Sequence, residues 1–351
     1  MKPCVLFNDT TPQLNWGCHA TSFFTKKILK DNNFEIIINI NIYESISKEK
    51  VDNYFQEIKK KDIKYIFING EGSLYEQKNM KGKTMIYFMN LTKSLKGVNT
   101  YLVNSGFDLY KKESISSFQN VLQDHRNLKI QLREEVSIAN FKKFFPENVI
   151  FQPDYLFTIP ESFNNKDILK KYNLIERDYL LIGGNSNYYR EDRPKYDAVS
   201  VYTTIIENIQ KIIKKEIIIY ASGSEEINWL RQICTKTKVR MISVDKVNWK
   251  DAYVILNNAY INISGRYHPS IMCYLGNTPS LLFSANHCKM DGINKMFTPE
   301  QIVINSHEIH AYYDFINKWV LNLCDENKYL EAVENIKRKI VDLKKKSILY
   351  L

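Results

Sequence analysis

Short β-branched runs alternate with amphipathic stretches along nearly the whole chain. The runs Val5–Asn8, Phe34–Ile40, Ile63–Asn69, Thr100–Asn104, Leu128–Leu132 and Val149–Gln152 have the length and composition of strands. Between them apolar residues recur at three- and four-residue spacing, as over Ser47–Lys60 and Lys112–Gln123, which predicts helices. Strands that alternate with helices form a parallel sheet covered on both faces, because each helix supplies the crossover that a parallel pair requires. The pattern weakens over residues 158–178, around Pro160 and the polar Asn164-Asn165-Lys166, and resumes at Tyr179–Ile182. Strands are then expected at Glu216–Tyr220, Val239–Val244, Tyr260–Ser264 and Ser280–Phe283, with closing helices near His310–Leu323 and Tyr329–Leu343.

The expected fold class is therefore α/β, with two facing Rossmann-like domains built on parallel sheets. The boundaries that follow are an N-terminal domain over 1–157, a linker over 158–178, a C-terminal domain over 179–325 and a C-terminal helix within 326–351. A length of 351 residues agrees, since it exceeds one typical core and suits two. Ligands are expected in the cleft, at the carboxyl ends of the strands.

Composition narrows the class. The six cysteines show no Cys-x-x-Cys pair, so neither a disulfide framework nor a zinc site is suggested, and they read as reduced thiols. No apolar run reaches the roughly 18 to 20 residues that span a bilayer, and Met1-Lys2-Pro3-Cys4 lacks the features of a signal peptide, so the cytoplasm is the expected compartment. A net charge of +10 invites a nucleic-acid reading, but the lysines are spread over many helices and gather mainly over Lys337–Lys346, as on a solvated helix face. No nucleic-acid partner is expected. The same charge suits weak attraction to an anionic surface, such as the inner face of the cytoplasmic membrane.

The most informative stretch is Ile261 to Ser270, an apolar strand ending in Ser264-Gly265 and followed by a helix that opens Arg266-Tyr267-His268. A helix N-terminus favours an anion through its free N–H groups and its dipole. Arg266 adds a planar fork suited to carboxylate or phosphate, and His268 a group able to carry a proton near neutral pH. Lys289, after the strand Ser280–Phe283, is placed to reach the same pocket as a second cation.

Other candidates follow strand ends. Asn15 and Gly17 lie in the loop after the first strand, where Gly17 permits close backbone approach and Asn15 can bond either a sugar hydroxyl or the turn itself. Asn69-Gly70-Glu71-Gly72-Ser73 reads as a tight glycine loop at the cleft. Its Glu71 either orients and deprotonates an acceptor hydroxyl or caps the following helix. Asn185, and the Ser222-Gly223 turn, are candidate hydroxyl- or anion-binding positions. There is no Walker A sequence, no His-Glu-x-x-His and no prominent Asp-x-Asp, so a metal-independent transferase fits better than a P-loop enzyme or that type of metalloprotease.

An ordered set of motifs lies within a span of roughly residues 3 to 295: Asn15-x-Gly17, Gly70-Glu71-Gly72-Ser73-Leu74, Arg133-Glu134-x-x-Ser137, Pro153-Asp154, Ser264-x-Arg266-Tyr267-His268, and Gly276-x-x-Pro279 with Lys289. In this order and spacing the chain resembles the polysaccharide pyruvyl transferase family. It departs at Glu71, where a third glycine is frequent, at Glu134, where Asp is commoner, and at Tyr267, where Leu is usual. The resemblance implies a GT-B-like fold, with the acceptor mostly on the N-terminal domain and the donor on the C-terminal one. It implies no cofactor, phosphoenolpyruvate as the anionic donor, and a bacterial surface glycan or its lipid-linked precursor as acceptor. Arg266 and Lys289 would hold the donor, His268 would give the proton or bind phosphate, and Arg133, Gly72, Ser73 and Ser264 would complete the binding surface, while Glu71, outside the family pattern, keeps the acceptor role read from its own place in the cleft. A metal-independent glycosyltransferase, using a nucleotide-activated sugar in capsule or lipooligosaccharide synthesis, could employ the same residues.

Overall fold

The computed structural model describes residues 1–76, 80–146, 149–187 and 196–347. Eleven strands fall into two sheets among these residues. The first holds β1 (Lys2–Asp9), β2 (Phe34–Asn41), β3 (Tyr65–Tyr75), β4 (Asn99–Asp108), β5 (Leu128–Leu132) and β6 (Ile150–Phe151) in the order β2-β1-β3-β4-β5-β6. The second holds β7 (Tyr179–Asn185), β8 (Glu216–Ala221), β9 (Arg240–Ser243), β10 (Ile261–Gly265) and β11 (Ser280–Leu282) in the order β11-β10-β7-β8-β9. All strand pairings are parallel, as the alternation predicts. The strand order reverses between β1 and β3 and again between β7 and β10, and such switch points open a crevice beyond the strand ends.

The first sheet is threaded by α1 (Trp16–Asp31), α2 (Lys48–Lys60), α3 (Met80–Thr92), α4 (Lys112–Leu122) and α5 (Glu135–Lys142), and α6 (Asp167–Lys171) lies in the connection. The second carries α7 (Ala198–Ile212), α8 (Ile227–Thr237), α9 (Trp249–Asn257), α10 (Tyr267–Leu275) and α11 (Lys289–Phe297), after which α12 (Tyr313–Leu323) and α13 (Glu326–Lys346) close the described chain. Residues 348–351 of the expected C-terminal segment lie outside the described residues.

Strand period sets the packing. Val5 and Phe7 face one core with Phe88, Phe118 and Phe141, while Cys4 and Leu6 face another with Trp16 and Phe24. That second core is continuous with the interior of the C-terminal domain. Helix α1 makes the join, packing on α9, α10 and the 3-10 turn Tyr155–Thr158. Its first turn is pinned across the domains, with Trp16 Nε1 donating to Val247 O at 2.7 Å and Trp16 N to Ser222 O at 3.0 Å. Asn15 caps α1 by accepting from Cys18 N at 3.2 Å.

The glycine-rich stretches differ from expectation. Residues 69–75 are not a tight loop but the second half of β3, and β4 likewise runs past its expected end at Asn104 as far as Asp108. Glu71 pairs with Ser105 and Leu74 with Phe107, with a bulge between them. Close approach is the reason for the glycine at 70, where a Cβ would overlap the Ser105 side chain on the neighbouring strand.

Candidate active site

The carboxyl ends of both sheets open onto one cleft of about 480 Å³. Among the sequence-predicted residues, Asn15, Glu71, Gly72, Ser73, Arg133, Ser222, Arg266, His268 and Lys289 line it. Gly17 lies beneath the imidazole of His268, where a Cβ would overlap Nδ1.

Asn185, Gly223 and Ser264 are not among the cleft-lining residues, because the fold uses their polar atoms elsewhere. Asn185 donates to Ser284 O at 2.9 Å and accepts from Asn187 N at 2.6 Å. Gly223 bridges Asn15 as an isolated antiparallel pair. Ser264 Oγ accepts from Arg266 N at 2.9 Å, so it shapes the entry to α10.

Helix α10 starts at Tyr267 with Arg266 as its cap residue, and Pro269 sits in the first turn, where its missing N–H has no intrahelical partner to lose. This start aims Arg266 and His268 into the cleft. Arg266 is not a free fork: Nη2 meets Glu225 Oε1 and Nε meets Glu226 Oε1, each at 2.7 Å. Burial works against its charge, but the two glutamates outweigh it and hold the guanidinium firmly protonated. Burial lifts the Glu226 carboxyl above its ordinary value despite Arg266, whereas at the partly exposed Glu225 desolvation is overcome by Arg266, a backbone hydrogen bond and Lys289 together, which draw its carboxyl below its own ordinary value.

Arg133 is buried and answers two buried carboxylates, Glu134 at 2.7 Å through Nε and Asp154 at 3.0 Å through Nη1. Its guanidinium lies 4.2 Å from the centroid of the Tyr267 ring. His268 Nε2 is the meeting point of three groups, with Thr21 Oγ1 at 3.3 Å and Arg133 Nη1 and Asp154 Oδ2 each at 3.4 Å. Asp154 accepts from Leu156 N at 3.0 Å, and although desolvation opposes it, His268 and Arg133 keep its carboxyl below the usual range.

On the opposite wall Glu71 occupies a left-handed backbone conformation (φ 41°) that costs a non-glycine residue energy. Its Oε1 accepts from Thr10 Oγ1 at 2.5 Å and Asn69 Nδ2 at 3.1 Å, while Oε2 faces Cys18 Sγ at 3.7 Å. The carboxylate is thus fixed in direction. Lys81, on α3, touches Gln13 Oε1 at 3.5 Å. Lys289 opens α11 with no hydrogen bond or ion pair to its ammonium among the described residues, and desolvation, together with Arg133 and Arg266, brings it down to about 7.

The sequence reading missed Glu225 and Glu226, which clamp Arg266, and gave Asp154 no role. Their only sequence signal is two acids opening a helix and one acid after a proline, both of which also read as ordinary capping positions. No cluster of metal-ligating groups lines this cleft among the described residues.

Solved structures share the fold at low identity. UDP-GlcNAc 2-epimerase from Neisseria meningitidis superposes with a TM-score of 0.62 at 10% identity, over 98% of both chains. The epimerase of Methanocaldococcus jannaschii gives 0.58 at 14% identity, over 92% of this chain and 93% of that one. A glycosyltransferase from Rickettsia africae gives 0.60 at 10%, over 97% and 93%. These likenesses establish the GT-B arrangement of two parallel-sheet domains, and nothing about ligands. No curated protein sequence matches the chain. The polysaccharide pyruvyl transferase family model, however, matches residues 15–287, a span that contains Arg133, Asp154, Glu225, Arg266 and His268, and the chain belongs to that family.

Proposed function

We propose that this transferase moves the pyruvyl group of phosphoenolpyruvate onto two hydroxyls of a sugar, forming a cyclic ketal. The observation that carries the reading is the set of four basic side chains, Lys81, Arg133, Arg266 and Lys289, gathered on one cleft beside the opening of α10. A trianionic donor suits such a site, because cations and a helix N-terminus both favour it.

The chemistry assigns tasks to the residues present. The donor's vinyl carbon gains a proton, two sugar oxygens bond to the adjacent carbon, and the C–O bond to phosphate breaks. Of the two hydroxyl protons, one balances the proton given to the methyl group and the other leaves on phosphate. Arg266 and Lys289 hold the carboxylate and phosphate. His268 passes the proton, and Asp154, 3.4 Å from Nε2, helps to orient its ring. Glu71, fixed by Thr10 and Asn69, orients the acceptor hydroxyl from the facing domain.

The acceptor we infer is a surface glycan or its lipid-linked precursor, handled at the inner face of the cytoplasmic membrane. The net charge of +10 supports that position, and no helix among the described residues is long and apolar enough to cross a membrane. Incubation with phosphoenolpyruvate and candidate glycans tests the reading, with released phosphate and a new pyruvate ketal as the expected result. Consumption of a nucleotide-sugar instead would replace it with glycosyl transfer.

A further inference from the structure

Next to the donor cleft, and sharing Tyr75 and Asn286 with it as walls, lies a second cavity of about 350 Å³. Three groups of metal-ligating type line it: the Asp108 carboxylate at the end of β4, and the His287 imidazole and Cys288 thiol just before α11. Their ligand atoms all lie within 4.8 Å of one another. No metal-ligand spacing stands out in the sequence, because the fold brings Asp108 to a pair 180 residues away.

The seat of His287 is built for the ring. It stacks on Tyr75 at 5.0 Å between centroids and fills space left by two glycines on adjacent strands. A Cβ at position 72 would stand 2.7 Å from Nε2, and one at position 106 would stand 3.2 Å from Cε1. The other two groups are tied together from behind. Asn140 Nδ2 donates to Asp108 Oδ1 at 3.2 Å and towards Cys288 Sγ at 3.6 Å, and Cys288 N donates to Asp108 Oδ2 at 3.0 Å. One amide orienting two donors is the outer-shell device that holds metal ligands in place.

We propose that Asp108, His287 and Cys288 bind one divalent transition ion of the zinc type, with a fourth coordination position open to the second cavity. The donor set decides the class, since oxygen, nitrogen and sulfur together suit zinc, whereas magnesium and calcium take oxygen shells. Bonds of about 2.0 to 2.3 Å would place the ligand atoms roughly 3.3 to 3.8 Å apart, so side-chain rotation of about 1 Å closes the site. The thiol proton, now directed at Phe107 O (3.7 Å), leaves to solvent as the sulfur–metal bond forms. Three protein ligands leave room for a water or a sugar hydroxyl on the cavity side.

Cobalt(II) is the probe. Protein stripped of metal by a chelator is expected to bind one equivalent, showing the visible bands of a four-coordinate ion and a sulfur-to-cobalt charge-transfer band. Zinc should displace the cobalt and raise the melting temperature by mass action. Asp108→Asn should weaken binding at least about 10-fold, and Cys288→Ser should abolish the charge-transfer band. Folded wild-type protein without that band, or a band that survives Cys288→Ser, overturns the site. The wild-type spectrum decides even where a variant fails to fold. Neither donor nor acceptor enters the measurement, so it stands apart from pyruvyl transfer.

Discussion

The imidazole of His268 rests on Gly17, with Nδ1 in the space that a Cβ at position 17 would need. The contact crosses from α1 of the first domain to α10 of the second, so the glycine of one domain sets the pose of the histidine of the other. Gly17→Ala is therefore expected to tilt the ring out of its contacts with Thr21, Arg133 and Asp154. A displacement near 1 Å can cost about 100-fold in rate. Turnover should fall by that order while circular dichroism stays close to wild type, and unchanged turnover would show that the pose is unimportant.

His268→Gln separates chemistry from structure. The side chain is largely buried and keeps a polar tip in the variant, so the fold and much of the donor affinity should persist. Turnover is expected to drop by roughly 100-fold or more, the range for removing acid–base catalysis. A lower melting temperature with near-normal turnover would make the residue structural.

Arg266 presents two substitutions with opposite expectations. Arg266→Lys cannot span Glu225 and Glu226 together, and it leaves the buried Glu226 poorly answered, which costs about 3 kcal/mol when a buried pair is broken. Denaturant unfolding should register that loss, and donor affinity should fall with it. Glu225→Gln removes the more exposed of the two counter-charges and should tighten donor binding, read as a lower KM for phosphoenolpyruvate. Equal donor affinity in both variants would remove Arg266 from the donor site.

His125 gives a pH dependence remote from the cleft. Burial, reinforced by Lys93, brings its imidazole down to about 4, and Nε2 lies 3.0 Å from Thr92 Oγ1. The folded-state value is depressed, so the neutral ring is tolerated above about pH 6.5, and stability is lost as pH falls from there towards 4, where only the unfolded chain takes up the proton. The loss should approach about 3 kcal/mol. His125→Gln should flatten that part of the stability curve when both proteins are unfolded by urea at pH 7, 6 and 5. Parallel curves would show that other groups account for the acid sensitivity.

The sequence by itself determined the parallel α/β alternation, the renewal of the pattern at Tyr179, and the helix opening at Arg266-Tyr267-His268. Each of these is written in local periodicity or in residues adjacent along the chain, which act within a turn or a strand. It did not reveal that residues 69–75 continue a strand, since glycines mark a tight loop and a close strand–strand approach alike, and only the Ser105 side chain packed against Gly70 distinguishes them. Tertiary structure alone decided that Glu225 and Glu226 would occupy Arg266, that Arg133 and Asp154 would meet at His268, and that Ser264 and Asn185 would serve the backbone instead of the cleft. Except for Ser264 and Arg266, two positions apart, those pairings join residues distant in the chain, and they form because a charge or polar group buried by domain packing must find a partner there, a demand that exists only once both sheets have closed on the cleft.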